Sequence, residues 1–443
     1  MSQDFEILPP VIEPGATGLR FGYRLGDLQF EERLAFPSTF DIEVFQQQSG
    51  QRLLTLAAFV LGVSYYKLLA PLRLAAPQLT LTELERAFVI DIYENGLGEF
   101  YARNDLRRYG RLELEVSVDE SELAERPDLL RRALLPIGGG KDSLVSAQLL
   151  QAAEIAFTPF AVNPKGPIVS SVEALALEPV YVRRTLDPEM IRLSTQPGYY
   201  NGHVPSTAIN SMIAALCAIA YGFDEIVLSN ERSASEGNIE FDGREANHQY
   251  SKSLAFERHI AQVLGAATGG ALRYYSLLRP FSEAQIANLF ARTQRFDHAF
   301  SSCNRNFRLA GHEGDLWCGN CPKCHFVFLI FAPVMDRERL IGIFGQNLFD
   351  KPQNIDAYRE LTGLAGQKPW ECVGEILEAA ACLYQLVKRP EWSSDAVVAA
   401  LGGELLAQYG AETLERASSE LMTASQDHHI PGDVYRRIAP HAA

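Results

Sequence analysis

The first third of the chain alternates between strand-like and helix-like patterns of apolar residues. In "GLRFGYRLGDLQFEERLAFP", residues 18–37, alternating apolar residues flank Gly26 and Asp27, which is typical of a β-hairpin. Further periodic stretches follow, helical at about 51–72 and 81–106 and strand-like in "RLELEVSV" from residue 111. We predict an N-terminal α+β domain over residues 1–128.

Short apolar runs then alternate with helical stretches. The runs are "ALLPI" at 133–137, "FTPFAV" at 157–162, "PVYV" at 179–182 and "EIVLSN" at 225–230. This alternation predicts the α/β class, with a doubly wound parallel sheet over residues 129–331. Ligands of such sheets bind beyond the carboxyl ends of the strands, where Asn163 and Asn230 follow their strands.

The last segment, 332–443, has helical patterns and is predicted to be a helical C-terminal region. Its end, from Ser425 onward, is charged and contains Pro and His, so we expect it to be loosely ordered. A chain of 443 residues exceeds one typical core, which agrees with two or three domains.

Charge and hydropathy narrow the functional classes. The formal net charge of -15 argues against a sequence-independent nucleic-acid binder, which needs a basic face. The start of the chain lacks the basic and apolar segments of a secretory leader. The longest apolar stretch, "LLTLAAFVLGVSYYKLLA" from Leu53, is interrupted by Thr, Ser and Lys and indicates a buried or amphipathic helix. We expect a cytoplasmic protein without nucleic-acid or membrane partners.

The stretch "LLPIGGGKDSLVSAQLL", residues 134–150, joins a strand to a helix through three glycines. The amides of a helix N-terminus favour anions, and phosphate is the first candidate. A Walker loop requires Ser or Thr directly after Lys141, and the dinucleotide fingerprint requires a third, later glycine. Both patterns are excluded. An ordinary strand-to-helix turn stays open.

The same stretch resembles the S-G-G-x-D-S loop of the PP-loop ATP pyrophosphatases, with Gly138 in place of the first serine. The resemblance implies a PP-loop, HUP-like core that binds ATP and releases pyrophosphate. It implies that Lys141 stabilises phosphate charge and takes part in catalysis, and that Asp142 holds Mg²⁺. The nucleotide-binding residues it implies, with the two strand-end asparagines added, are Gly138, Gly139, Gly140, Lys141, Asp142, Ser143, Asn163 and Asn230.

Four cysteines form a second candidate site in "SSCNRNFRLAGHEGDLWCGNCPKCHF". Their spacing suits one tetrahedral Zn²⁺ ion held by Cys303, Cys318, Cys321 and Cys324. His312 and His325 compete with Cys303 for the fourth place, and an iron–sulfur cluster or reduced cysteines stay open. The block is similar to the structural zinc site after the ATP core of PP-loop enzymes such as 7-cyano-7-deazaguanine synthase.

Two loops carry candidate catalytic residues. In "SNERSASEGN", Arg232 is a candidate for neutralising a phosphate or carboxylate, although solvated loop charge is an equally good interpretation. In "KPWECVGE", Cys372 is a candidate proton carrier, and a buried structural thiol is the alternative. The histidines that compete with it are His203, His248 and His312.

Taken together, the GGGKDS, SNERSASEGN, LWCGNCPKCHFVF and KPWECVGE stretches resemble the ATP-dependent UDP-N-acetylmuramoyl-L-alanyl-L-glutamate epimerases. The resemblance implies a UDP-muramoyl dipeptide and ATP as substrates, Mg²⁺ as cofactor, and inversion of the terminal glutamate through an adenylated carboxylate. Another PP-loop adenylating enzyme, either an amide ligase or a tRNA- or base-modifying enzyme, is the enzymatic alternative. A zinc-stabilised nucleotide-binding module without turnover is the non-enzymatic one. The oligomeric state stays open.

Overall fold

The computed structural model describes residues 4–235, 239–307, 316–366 and 373–442. Within these residues most strands join one large sheet, and β11 and β12 form a separate small ribbon. The strands are β1 (Phe5–Ile7), β2 (Val11–Ile12), β3 (Gly18–Leu25), β4 (Leu28–Ala35), β5 (Arg73–Thr82), β6 (Glu113–Asp119), β7 (Leu130–Pro136), β8 (Phe157–Val162), β9 (Val180–Thr185), β10 (Phe223–Leu228), β11 (Ile239–Phe241), β12 (Arg244–Ala246) and β13 (Arg273–Ser276).

Helices cover both faces of this sheet and make up the C-terminal part of the chain. They are α1 (Glu43–Gln46), α2 (Gln48–Tyr66), α3 (Glu83–Glu94), α4 (Gly98–Arg103), α5 (Lys141–Ala152), α6 (Gly166–Leu175), α7 (Pro188–Leu193), α8 (Ser206–Tyr221), α9 (Leu254–Ala267), α10 (Glu283–Ala291), α11 (Pro322–Phe331), α12 (Arg337–Phe344), α13 (Ile355–Leu361), α14 (Ile376–Val387), α15 (Pro390–Ser393), α16 (Ala396–Tyr409), α17 (Ala411–Leu421) and α18 (Gly432–Ala442). Short 3₁₀ turns lie at Arg232–Ser235, Tyr250–Lys252, Asn304–Phe307 and Pro352–Asn354.

The half of the sheet that follows residue 129 is parallel, with strand order β13-β10-β7-β8-β9. Within this half, β7 is the central strand. The next two strands in the chain, β8 and β9, lie on one side of it, and β10 and β13 lie on the other. Side chains alternate between two cores, so Leu134 faces one and Leu135 the other. The predicted mixed α/β class with a large, mostly parallel sheet is confirmed, and the four predicted strands are β7 to β10.

The N-terminal strands extend the same sheet. The predicted hairpin is confirmed as β3 and β4, and β4 pairs antiparallel with β9, with Leu34 opposite Arg184. At this joint Arg184 Nε lies 2.6 Å from Oε1 of the fully buried Glu32. Residues on both sides of the proposed boundary at 128 therefore share one sheet, and the three-domain division stays a prediction.

The C-terminal region is helical, as predicted, but its end is more ordered than the sequence indicates. Helix α18 packs against α5, Ile438 is fully buried, and Arg437 Nη2 donates a hydrogen bond to Ala153 O at 2.6 Å. The expectation of a loosely ordered tail is wrong because apolar residues of α18 share one buried face. Among the described helices, none combines the length and the apolar character needed to cross a bilayer.

Candidate active site

The glycine loop joins the end of the central strand β7 to the start of α5, and its backbone is tightly constrained. Gly139 has φ +80°, and a Cβ atom there would lie 3.0 Å from the backbone of Pro167 and Ile168. Gly140 is the N-cap of α5 and provides no side-chain cap. The first amides of α5 therefore lack the usual capping side chain, as expected of an anion-binding helix N-terminus.

A cavity of about 450 Å³ lies at the carboxyl ends of β7, β8 and β10, beside this loop. In a doubly wound sheet, ligands bind in the crevice between two adjacent strands whose following connections run to opposite sides of the sheet. Here these strands are β7 and β10. The volume is typical of a small-molecule site. Polar and charged side chains from five segments reach its wall, among them Ser206, Asn210, Asn230, Glu231, Lys252, Glu283 and Lys323.

The inner wall of the cavity contains one buried ammonium group, that of Lys141, which contacts two carboxylates. The side chain of Lys141 is 4% exposed; its Nζ lies 2.6 Å from Asp142 Oδ1 and contacts Glu283 Oε2 more closely still. Burial alone lowers the pKa of Lys141, but the two carboxylates outweigh it and hold that pKa above its usual range. Lys141 therefore stays charged and is held by the protein's own carboxylates.

The buried carboxyls around Lys141 outnumber it. Burial raises the pKa of Glu283 despite the contact with Lys141, and the nearby Asp142 and Glu231 add to that rise. Burial also raises the pKa of Glu378 to about 7, while the Ala284 amide, which donates to its Oε1 at 2.8 Å, opposes this. Burial and the neighbouring carboxylates therefore favour the protonated forms of Glu283 and Glu378 more than water does.

The other predicted nucleotide-binding residues lie in different surroundings. Ser143 Oγ accepts from the Gly138 amide at 3.4 Å, which closes the loop. Asn230 lines the cavity, and its Nδ2 donates to Ser276 Oγ at 3.1 Å. Asn163 lies in a separate surface cavity, where its amide bonds both backbone groups of Arg184 at 2.7 and 2.8 Å. Its proposed contact with the nucleotide stays a prediction.

The predicted catalytic residues lie partly inside and partly outside the described structure. Arg232 begins a 3₁₀ turn beside the cavity and is close enough to Glu378 to oppose the rise in its pKa. Cys372 and His312 lie outside the described residues. Their proposed roles stay predictions.

The four cysteines converge, as their spacing indicates. The Sγ atoms of Cys303, Cys318, Cys321 and Cys324 all lie within 4.8 Å of one another. Cys318 and Cys324 are 3.8 Å apart and Cys321 and Cys324 are 3.4 Å apart, which suits Zn–S bonds of about 2.3 Å in a tetrahedron. Within the described residues Cys303 is one of the four converging side chains, whereas the ring of His325 lies 3.1 Å from Gly319 O and is not among them.

Sequence reasoning missed Glu283, Glu378, Lys252 and Lys323 of this site. Glu283 opens α10, where Ser282 accepts from the Gln285 amide at 3.0 Å. The capping pattern Ser-x-x-Gln in "SEAQ" marks that helix start and was the available signal. The short strand β13 before it carries no clear periodicity, so the position of Glu283 beside the glycine loop was not predictable.

Comparison with known proteins identifies the family of this chain. Residues 1–277 match the family model of the MurL N-terminal domain, and residues 299–416 match that of the MurL C-terminal domain. The chain is 40% identical over 428 residues, 96% of its length and 94% of the relative's, to the UDP-N-acetyl-alpha-D-muramoyl-L-alanyl-L-glutamate epimerase of Xanthomonas oryzae pv. oryzae.

Two actinobacterial proteins with the same name are also similar. The Micromonospora sp. protein is 42% identical over 88% of this chain and 86% of its own length. The Salinispora tropica protein is 42% identical over 79% of this chain and 76% of its own length. Both family models and all three relatives agree, so this chain belongs to the MurL epimerase family.

Proposed function

We propose that this chain converts the terminal L-glutamate of UDP-N-acetylmuramoyl-L-alanyl-L-glutamate to D-glutamate in peptidoglycan precursor synthesis, with ATP and Mg²⁺. The observation that carries the proposal is the 40% identity, over 428 residues, to a relative named for that reaction. We place the reaction in the cytoplasm, where ATP is supplied and cysteine thiols stay reduced.

For the ATP step, we propose that β7 to β10 and β13 form a PP-loop core. Three features support this: the loop follows the first strand of the parallel set, the cavity lies at the switch between β7 and β10, and Gly139 has no room for a side chain. The α5 amides, Ser143, Lys252 and Lys323 would hold the phosphates. Asp142, whose carboxylate is 31% exposed at the cavity, suits an oxygen ligand of Mg²⁺.

The chemistry explains why inversion requires ATP. Removing the Cα proton beside a free carboxylate creates a doubly negative, enolate-like species. Attack of the α-carboxylate on the α-phosphorus of ATP releases pyrophosphate and forms an acyl-adenylate, which removes that charge. One group then takes the Cα proton and another returns a proton to the opposite face. Water finally cleaves the anhydride to AMP and carboxylate.

For the cysteine cluster we propose a structural zinc ion bound by Cys303, Cys318, Cys321 and Cys324. All four sulfurs face one point at distances that suit the ion, and a four-thiolate set leaves no open position for chemistry. The ion would connect the segment at Cys303 to the start of α11.

One incubation tests the proposal. The purified full chain is mixed with UDP-N-acetylmuramoyl-L-alanyl-L-glutamate, ATP and Mg²⁺ in D₂O, and AMP, pyrophosphate, peptide mass and glutamate chirality are followed. We expect AMP and pyrophosphate together with D-glutamate that carries one deuterium at Cα. Asp142→Asn should lose all products. Asp350→Asn, a change of an exposed carboxylate outside the cavity, should retain them.

The other outcomes separate the alternatives. AMP and pyrophosphate without deuterium at Cα would indicate a PP-loop enzyme that passes the adenylate to another acceptor, such as an amide ligase. ATP binding without release of AMP or pyrophosphate would indicate a nucleotide-binding module without turnover. Either result overturns the epimerase proposal.

A further inference from the structure

A second cluster of metal-ligating side chains lies outside the cysteine site and the glycine loop. Glu99 is in the first turn of α4, His203 precedes α8, and His248 follows β12. Their candidate ligand atoms lie within 4.8 Å of one another. These three residues, which we term the Glu99 cluster, come from segments more than 40 positions apart and are brought together only by the fold.

Both imidazoles of the cluster face the same carboxylate oxygen. His248 Nδ1 contacts Glu99 Oε2 directly, and His203 Nδ1 lies 3.7 Å from that oxygen. The second distance exceeds that of a hydrogen bond, and it is close to the roughly 3.4 Å between neighbouring ligands of a tetrahedral ion. The two rings have centroids 4.7 Å apart. The distance between His203 Nδ1 and Glu99 Oε2 therefore leaves room for an ion between them, whereas His248 Nδ1 contacts the carboxylate directly.

The remaining oxygen of Glu99 is held in place by a separate contact. Arg103 Nε lies 2.6 Å from Glu99 Oε1, which turns Oε2 toward the histidines. Such an outer contact commonly orients a ligating carboxylate. The Glu99 side chain is only 5% exposed, while His248 and His203 are 17% and 26% exposed. The carboxylate is thus rigid and desolvated, and the imidazoles retain an approach from solvent.

The cluster lies next to the main cavity. Ser206 follows His203 by three residues, Lys252 follows His248 by four, and both line the cavity wall. Two of the three segments that form the cluster therefore continue into the cavity wall.

We propose that Glu99, His203 and His248 form a second metal site that binds one divalent transition-metal ion, with zinc as the reference ion, through two imidazoles and one carboxylate. Two imidazoles favour Zn²⁺, Ni²⁺ or Co²⁺ over Mg²⁺ and Ca²⁺, which require mainly oxygen ligands. Arg103 balances the single carboxylate charge, and this further disfavours the hard cations. Three protein ligands leave at least one position open. The proposal does not depend on the epimerase reaction.

The test is metal stoichiometry and affinity of the full chain. Protein stripped with a chelator is reloaded with Zn²⁺, freed of excess ion, and analysed by mass spectrometry for metal per chain. We expect two zinc ions in the wild type. We expect one in His203→Asn and in His248→Asn, with the zinc Kd of the lost site raised at least about 100-fold, beyond the range of outer-shell changes.

Two controls keep the result interpretable. His429→Asn makes the same chemical change at an exposed histidine outside the cluster and should retain both ions. Glu99→Gln keeps the shape and one acceptor oxygen, so a loss of metal with an unchanged melting temperature would separate ligation from folding. If His203→Asn and His248→Asn bind as much zinc as His429→Asn, or if Cys321→Ser alone removes all zinc from the chain, the second site does not exist.

Discussion

Replacing Gly139 by alanine tests the geometry of the glycine loop directly. Two penalties apply at this position. A left-handed backbone at φ +80° costs a residue with a Cβ about 1–2 kcal/mol. The added Cβ would also lie 3.0 Å from the backbone of Pro167 and Ile168, and overpacking of this kind typically costs about 1–3 kcal/mol. The two penalties sum to about 2–5 kcal/mol. The steric penalty is not relieved by rotation, because the nearest atoms belong to the backbone.

Gly138 provides the matched control one residue earlier. A Cβ atom at Gly138 would meet no atom within 4 Å, and its φ lies outside the left-handed region. Gly138→Ala should therefore change the free energy of unfolding by less than about 0.5 kcal/mol. Gly138→Ser would restore the first serine of the S-G-G-x-D-S pattern and should be equally well tolerated.

Two assays read the effect. Urea unfolding should show the loss of stability in Gly139→Ala, and AMP formation should fall about 100-fold because a displacement of about 1 Å at a positioned group has that effect. The unfolding measurement is independent of the substrate. If Gly139→Ala and Gly138→Ala unfold at the same urea concentration and form AMP at the same rate, the account of this loop is wrong.

Three further predictions concern single side chains. Asp142→Asn should reduce AMP formation at least about 100-fold with an unchanged melting temperature, since the fold retains the Lys141–Glu283 contact; an unchanged AMP yield would mean that this loop does not bind the nucleotide. Cys321→Ser should lower the melting temperature and the zinc content together, and a normal melting temperature in metal-free protein would exclude a structural zinc. Glu378→Gln should flatten the dependence of stability on pH. The pKa of this carboxyl rises on folding from 4.5 to about 7, so its stabilisation is complete below the unfolded value and is lost as pH rises through about 7. Between pH 5 and 8 the wild type should lose about 2–3 kcal/mol more unfolding free energy than the variant, and parallel urea-midpoint curves would refute this.

Local periodicity explains which elements were predictable. The hairpin of β3 and β4 and the strands β7 to β10 are marked by alternation or by a compact apolar run between turns. Two of the strands that were not predicted show why. β5 contains Pro77 and lies between two helical patterns, and β13 has only four residues. Pairing of β4 with β9 joins segments about 150 residues apart, and no local pattern specifies such a contact.

The candidate site divides in the same way. The glycine loop and the C-x-x-C-x-x-C run are each a single short stretch of sequence. Their chemistry is therefore predictable from residue type and spacing. The surroundings of Lys141 are not. The resemblance implied a lysine that contacts phosphate, a role that stays a prediction; the structure pairs Lys141 with Asp142 and with Glu283, which is 142 positions away. Lys252 and Lys323 add positive charge to the cavity wall, and they were not predictable because both are far from the loop in sequence.

The cysteine cluster links the glycine loop to the part of the cavity wall that carries Lys323. Cys303 follows Ser302, which would lie 3.0 Å from a Cβ at Gly140, and Ser301 donates its amide to Gly139 O at 2.8 Å. On the other side, Cys321 is the N-cap residue of α11, whose first two turns carry Lys323 and Phe326 to the cavity wall. An ion bound by these cysteines would therefore connect two walls of the cavity beside the glycine loop. Metal loss should therefore loosen the glycine loop as well as lower the melting temperature. The reason is that Ser301, whose amide donates to Gly139 O, is only two residues before Cys303.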